Sequence, residues 1–299
     1  MYVGFDLGGT QLKYGVIDPH GKVVYEDKAD TPERVQDLFL ILKDVWNDLK
    51  KKIDESILGV GFGFPGIFHS QKQKIIQSPN YSEIDNYDLV PAISRFLNLP
   101  FRINNDANMA AYGEYKQGSG KDTSSLIFLT IGTGVGSGVI LDGKLWQGAC
   151  GFAGELGHVT VNPHGYSCNC GSQGCLETEV PAPKIVRNYQ SLTHTQENLT
   201  AEEVARRAQQ GDRNAQNSFQ KAGYYLGIGL SIAINFLNPQ KIILGGGVMK
   251  SEDLLLPSAF KETRKRSYEA SFKCCEIQKA SLGNKAGYIG AAHWAKDTL

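Results

Sequence analysis

The sequence predicts a two-domain α/β protein. Three observations predict it: strand-like apolar runs alternate with segments of helical period along the chain, a strand–glycine turn–strand unit occurs twice, near positions 8 and 132, and 299 residues exceed the usual length of one domain. Residues 3–6 and 14–17 read as short strands around a Gly-Gly turn, and 21–26 adds a third after the turn Asp18-Pro19-His20-Gly21, giving an antiparallel meander. Residues 35–53 place Leu38, Leu42, Val45, Leu49 and Ile53 on one face of a helix. A strand at 57–64 ends at Pro65-Gly66; a helix follows at 89–97, a strand at 101–104, and a helix at 107–115 opened by Asn105-Asp106. In the second half, strands at 125–131 and 138–141 flank the loop Gly132-Thr133-Gly134-Val135-Gly136-Ser137-Gly138, and a strand at 241–244 leads into Gly245-Gly246-Gly247. Helices are expected over 201–210, 214–235, 254–265 and 285–296. The Gly/Ser/Lys stretch at 118–122 marks the boundary, so the expected domains are 1–117 with the returning helix 286–299, and 118–285.

Composition narrows the partners. Lys+Arg and Asp+Glu both total 31, so no global field draws the chain to nucleic acid or an anionic membrane. The start, Met-Tyr-Val-Gly-Phe-Asp, has no basic segment before an apolar one, and the longest apolar stretch, 224–237, is too short for a bilayer. A cytoplasmic protein with a small-molecule partner is expected. The 34 glycines gather in short runs beside apolar segments, which suggests backbone-lined ligand sites.

One cluster carries metal chemistry. His158, Cys168, Cys170 and Cys175 supply three thiolates and an imidazole, a complete tetrahedral set for a closed structural zinc site. In a reducing compartment these cysteines are better explained as ligands than as disulfides. Glu155 and Glu177 bracket the cluster, and Glu155 shares a face with His158 if the segment turns helically. His158 can then bind zinc through one ring nitrogen and a ligand through the other. A neutral chain with one such site and no basic recognition helix is not a nucleic-acid zinc finger.

The glycine loops carry phosphate chemistry. In Asp6-Leu7-Gly8-Gly9-Thr10, followed by Gln11 and Lys13, backbone N–H groups can approach phosphate oxygens, Thr10 adds a hydroxyl, and Asp6 can hold Mg²⁺ through water. An ordinary hairpin turn would look the same. Neither loop is a Walker A or a dinucleotide fingerprint, because each joins two strands. In Asn104-Asn105-Asp106, Asn105 can bond a polyol hydroxyl and Asp106 can take its proton as general base, although either residue would also serve as a helix N-cap. Pro65-Gly66 and Ser78-Pro79-Asn80-Tyr81 are turn sequences.

Taken together these residues resemble the ROK family of bacterial sugar kinases and sugar-responsive repressors, over essentially the whole chain. Asp6 to Thr10 and Gly132 to Gly138 look like its phosphate loops, Asn104-Asn105-Asp106 its catalytic segment, and Gly154 to Glu177 its signature. The resemblance implies an actin-like (ribonuclease H-like) two-domain ATPase fold with sugar and ATP in an interdomain cleft. It implies Asp106 as the base that activates a sugar 6-hydroxyl, with Gly66, Asn80, Asn105, Glu155, His158 and Glu177 holding the substrate. Nucleotide and Mg²⁺ would meet Asp6, Gly8, Gly9, Thr10, Gln11, Lys13, Thr133, Gly134, Gly246 and Gly247, and structural Zn²⁺ would sit on His158, Cys168, Cys170 and Cys175. The family is commonly dimeric, which implies a homodimer.

One stretch departs from the pattern: Pro181 and Pro183 follow Glu177 where the family has small residues starting a helix, so the helix is expected to start later. The nine residues between His158 and Cys168 resemble glucokinases. Glucose is thus the expected hexose, with mannose, fructose, allose, N-acetylglucosamine, N-acetylmannosamine and β-glucosides as alternatives. Two rivals remain: a sugar-responsive repressor, for which no helix-turn-helix precedes the first strand, and an actin- or chaperone-like ATPase, which would not need Glu155, His158 and Glu177. Removing the metal is expected to weaken hexose binding and leave the glycine loops intact.

Overall fold

The computed structural model describes residues 1–78 and 82–299. Its elements are, in order, β1 (Tyr2–Leu7), β2 (Gln11–Ile17), β3 (Val23–Asp30), α1 (Val35–Lys52), β4 (Gly59–Phe64), β5 (Ile67–His69), β6 (Lys74–Gln77), α2 (Leu89–Ser94), β7 (Phe101–Asn105) and α3 (Asp106–Gln117). There follow β8 (Leu126–Ile131), β9 (Val135–Leu141), β10 (Lys144–Leu145), α4 (Leu176–Glu179), α5 (Ala182–Thr193), α6 (Ala201–Gln209), α7 (Arg213–Leu237), β11 (Lys241–Gly245), α8 (Glu252–Arg266), α9 (Glu269–Cys274), β12 (Glu276–Lys279) and α10 (Ala286–Thr298). No helix among the described residues is long and apolar enough to cross a membrane.

Contacts divide the chain into two units, the first made of Met1–Asp122, Gly138–Gly154 and Ser281–Leu299, the second of Thr123–Ser137 and Glu155–Ala280. The segment Gly138–Gly154, expected with its neighbours in 118–285, thus groups with the first unit. The local reason is visible at Gly138, where a Cβ would lie 2.6 Å from the Ala111 Cβ and 3.1 Å from Asn108 Oδ1, so the strand passes close over α3.

The first unit is built on a sheet of order β3-β2-β1-β4-β7, antiparallel through β1–β3 and parallel from β1 through β4 to β7. Alternation along β1 sends Val3, Phe5 and Leu7 into one apolar core with Leu38, Leu42, Trp46 and Leu49 of α1, and Phe5 stacks on Phe62 at 5.1 Å. The opposite face is formed differently. Gly15, Gly4 and Gly61 stand in one row across β2, β1 and β4. A Cβ at Gly4 would lie 1.9 Å from the Tyr288 carbonyl oxygen and one at Gly61 1.8 Å from that of Ala291, so α10 rests on the sheet backbone itself. Gly113 and Gly290 bring α3 and α10 equally close, a Cβ on Gly290 falling 1.7 Å from the Met109 carbonyl oxygen. Burying this much backbone contact at atomic density tolerates no added methyl group.

Glu114 of α3 is fully buried. Its carboxylate accepts from the backbone N–H groups of Ser119 (2.9 Å), Ser281 (3.2 Å) and Leu282 (2.8 Å), which satisfies the buried oxygens.

The second sheet has the order β10-β9-β8-β11-β12, with β8, β11 and β12 parallel. Helix α7, capped by Asp212, packs on α8 through Gly223 and Gly227. The strand expected over 138–141 starts earlier, at Val135, because Val135 and Val139 continue a half-buried strand pattern and only Gly132-Thr133-Gly134 turns. After α4 the chain breaks at Pro181, the N-cap of α5, and Pro183 lies in the first turn of that helix, where its missing N–H costs nothing. The hairpin β5–β6, α9 and β12 are additions to the elements expected from sequence.

Candidate active site

In the first unit, β7 delivers Asn104 and Asn105, and α3 begins at Asp106. Asn105 is the N-cap, its Oδ1 accepting from Asn108 N at 3.0 Å, while its Nδ2 donates to the Gly66 carbonyl at 2.7 Å. Among the described residues, one N–H and one lone pair of the amide have no partner. Gly66 has φ +111°, and a Cβ there would lie 2.3 Å from the Gln77 carbonyl oxygen, so only glycine turns its carbonyl toward Asn105. Asp106 is half-buried in the first turn, where Ala107 N donates to its Oδ1 at 2.8 Å. Of the expectations for this segment the structure shows the helix cap: Asn105 caps, next to the Asp106 carboxylate. Asn80 lies outside the described residues.

Asp6 ends β1 opposite Lys13 in the register. It faces α10 at Gly287, where a Cβ would lie 2.3 Å from the Asp6 carboxyl carbon. Burial pushes its pKa from 3.8 up to about 6, against the nearby charge of Lys13. Because the pKa is raised, the ionised carboxylate weighs against the folded state: the cost is absent below pH 3.8, grows toward pH 6, and is constant above. Asp6→Asn is expected to be more stable than wild type at pH 7, by up to roughly 3 kcal/mol, with the difference vanishing below pH 4. Urea unfolding across that pH range checks it; a pH-independent difference would remove the argument. The following loop is held by Gly8 N donating to the Gln11 carbonyl (2.9 Å) and the Thr31 hydroxyl donating to the Gly8 carbonyl (2.8 Å), with Gly9 and Thr10 exposed.

In the second unit, four side chains converge. The ligand atoms of His158, Cys168, Cys170 and Cys175 all lie within 4.8 Å of one another. Cys168 Sγ is 3.6 Å from His158 Nδ1, and Cys170 Sγ is 3.7 Å from Cys175 Sγ. The loop is shaped by backbone bonds such as Cys168 N to the Ser172 carbonyl (2.8 Å) and by Gly174, whose φ of +66° brings it against Asn162. Burial pushes the Cys175 thiol up to about 12, and the neighbouring thiols add to it.

The imidazole faces two ways. Its Nδ1 meets the thiols, and its Nε2 lies 4.0 Å from Glu155 Oε2. Glu155 is exposed as a residue, yet its carboxyl pKa is raised by burial, an effect the neighbouring Glu177 reinforces and His158 opposes. Glu177 sits on α4, directly after Cys175, and its Oε2 accepts from Val135 N at 3.1 Å. A Cβ on Gly134 would lie 2.8 Å from the same oxygen, so glycine is what lets the carboxylate reach the 132–134 turn. This link between the Cys/His loop and the second glycine loop was not expected from sequence.

A cavity of about 560 Å³ in the second unit is lined by Gly132, Thr133, Ala182, Pro183, Val186, Gln190, Asn198, Thr200, Gly247 and Lys250, among others. It joins expected nucleotide residues, Thr133 and Gly247, to a wall on α5 that the sequence did not reveal. Two prolines gave no sign that the helix they start lines a pocket. Gly246 (φ +90°) lies against the Ile131 backbone, where a Cβ would be 2.3 Å from the carbonyl oxygen.

The chain has the actin-like ATPase two-domain fold, with a Cys/His cluster beside two carboxylates. The chain belongs to the ROK family, whose model matches residues 2–298. It is 34% identical to a glucokinase of Halalkalibacterium halodurans, over 99% of this chain and 94% of that protein. It is 31% identical to the xylose repressor of Bacillus subtilis, covering 96% of this chain and 75% of the repressor. The structure matches a ROK family glucokinase of Streptomyces griseus solved with glucose and AMPPNP, at TM-score 0.82 and 30% identity over 99% of both chains.

Proposed function

We propose that this chain is an ATP-dependent hexose kinase that phosphorylates the 6-hydroxyl of glucose, with Asp106 as the general base. The observation that carries the reading is His158, turned to three thiols through Nδ1 and to Glu155 through Nε2. An ATPase that moved only phosphate would have no use for an imidazole and two carboxylates, Glu155 and Glu177, fixed on one stapled loop. Those groups suit a polyol, which needs several charged or strongly polar acceptors at fixed spacing.

The donor set fits structural zinc. A Zn–S bond of about 2.3 Å makes the edges of a tetrahedron close to 3.8 Å, near the Sγ–Sγ and Sγ–Nδ1 distances here. All four positions would be filled by protein, so bound zinc supplies rigidity and fixes the His158 tautomer. Asp6, Gly8, Gly9, Thr10, Gln11, Lys13, Thr133, Gly134, Gly246 and Gly247 are the proposed surroundings of the nucleotide, with Asp6 toward Mg²⁺; the raised pKa of Asp6 fits a carboxylate awaiting a cation. Gly66, Asn80 and Asn105 complete the proposed sugar contacts. Phosphoryl transfer asks for positioning and charge neutralisation, which this set provides while Asp106 takes the hydroxyl proton. A cytoplasmic homodimer without nucleic-acid or membrane partners goes with this reading.

The test is steady-state ADP release across a panel of hexoses, with zinc content measured on the same sample. Glucose-dependent release supports the proposal, and release favouring another hexose moves the substrate. Sugar binding without turnover would favour the second reading, a sugar-responsive regulator, which the similarity to the xylose repressor motivates.

A further inference from the structure

Asn104 is only 1% exposed, yet it carries four hydrogen-bonding positions that must be met inside the protein. Its Oδ1 accepts from Asn105 N at 2.8 Å and from Asn108 Nδ2 at 3.1 Å. Its Nδ2 donates to Gln147 Oε1 at 3.1 Å. Asn108 is itself 4% exposed, and its Oδ1 has no partner among the described residues, so it cannot be relied on to hold Asn104.

We propose that Gln147 is a positioning residue for the Asp106 turn, acting through the buried amide of Asn104. The argument is one of orientation. An amide can be turned over with little steric change, exchanging its oxygen and nitrogen. With an acceptor at Gln147, Asn104 presents its NH₂ there and its oxygen to Asn105 N. Turned over, it would set donor against donor at Asn105 N, the backbone group directly before Asp106. Gln147 Oε1 adds a side-chain acceptor that favours the first state together with the Asn105 N–H. Asn105 then holds the Gly66 carbonyl and caps α3, so the setting of its backbone is passed to the carboxylate one residue on.

Gln147 is suited to this because its own segment is fixed. Its carbonyl accepts from Ala153 N at 3.1 Å, closing the loop after β10, and Ser70 N donates to the Cys150 carbonyl at 3.0 Å, tying that loop to the end of β5. Gly151, with φ +100°, lies against the Phe68 carbonyl, where a Cβ would be 2.6 Å away.

The inference rests on the kinase reading for its catalytic consequence and on geometry alone for its structural one. The experiment therefore reads both, using Gln147→Leu, which removes the acceptor at similar size, and Gln147→Glu, which keeps it. In Q147L, kcat for hexose-dependent ADP release is expected to fall about tenfold or more with little change in the KM for ATP, since slight misplacement of a reacting group is costly. Amide hydrogen exchange at 105–108 is expected to accelerate about tenfold, the size of one lost buried bond. Q147E is expected to recover most of both losses. Wild-type exchange at 105–108 in Q147L overturns the proposal, as does an undiminished kcat in that variant where wild type turns over. Failure of Q147E to recover either loss assigns Gln147 to packing and also overturns it. If wild type shows no hexose-dependent turnover, the kinase reading falls and the exchange measurement alone decides Gln147. Should Q147L not fold, Gln147→Ser carries the same expectations without added apolar surface.

Discussion

Asp106→Asn is expected to bind hexose with near wild-type affinity and to lose turnover by about 10²- to 10⁴-fold, the usual contribution of a general base. The structure allows the two effects to be separated. Asp106 occupies the first turn of α3, and Ala107 N donates to its Oδ1, a bond that an asparagine oxygen can also accept. The helix start is therefore preserved, as is the Asn105 cap with its bonds to Asn108 N and the Gly66 carbonyl. What disappears is the ability to take a proton. Calorimetric hexose binding alongside a coupled ADP assay checks both halves. A variant that retained more than a few per cent of the wild-type rate would exclude Asp106 as the base, and one that lost hexose affinity in parallel would make it a binding group.

The second large effect is expected from Cys175→Ser. Cys175 is fully buried, contacts Cys170 Sγ at 3.7 Å, and is the N-cap of the short helix that carries Glu177. Little apolar core supports the loop between His158 and Cys175, where Val161 and Cys168 are the buried hydrophobic residues. Loss of one ligand is expected to abolish stoichiometric zinc, to open residues 159–174 to protease, and to weaken hexose binding by at least about tenfold. The structure modifies the expectation that the glycine loops would be untouched. Glu177 bonds Val135 N, at the end of the 132–134 turn, so nucleotide affinity should fall as well, though less than hexose affinity. Equal hexose affinity with and without the metal would show that the loop stands without it.

The parts of the site that could be read from sequence were those whose chemistry depends on residue type and spacing. Three cysteines and a histidine imply a tetrahedron whatever the fold around them, and Asn105-Asp106 between an apolar strand and a helical pattern implies a capped helix start. Other features depend on what lies across from a residue, which spacing does not encode. The row Gly15, Gly4 and Gly61 is such a case: clustered glycines suggested backbone approach to ligands, but Gly4 and Gly61 admit the backbone of α10 and Gly15 the ring of Tyr288 instead. Pro183 marked a helix that starts later, which it does, but not that it lines a cavity from the first turn of α5. Gln147 carries no motif, and its place opposite Asn104 arises only because residues 138–154 pack in the first unit.

The seat of α10 has a consequence for biosynthesis. The five strands of the first sheet are complete once residue 105 has been made, but the helix that covers their glycine row spans Ala286–Thr298. At roughly 5–20 residues per second, a ribosome takes on the order of 10–40 s to cover that distance. Throughout the interval the places that α10 fills at Gly4 and Gly61 stay open, while every residue of the second unit is being added. The unit that is started first is thus the one finished last, and its completion waits for the helix that must fit against strands where even one methyl group has no room.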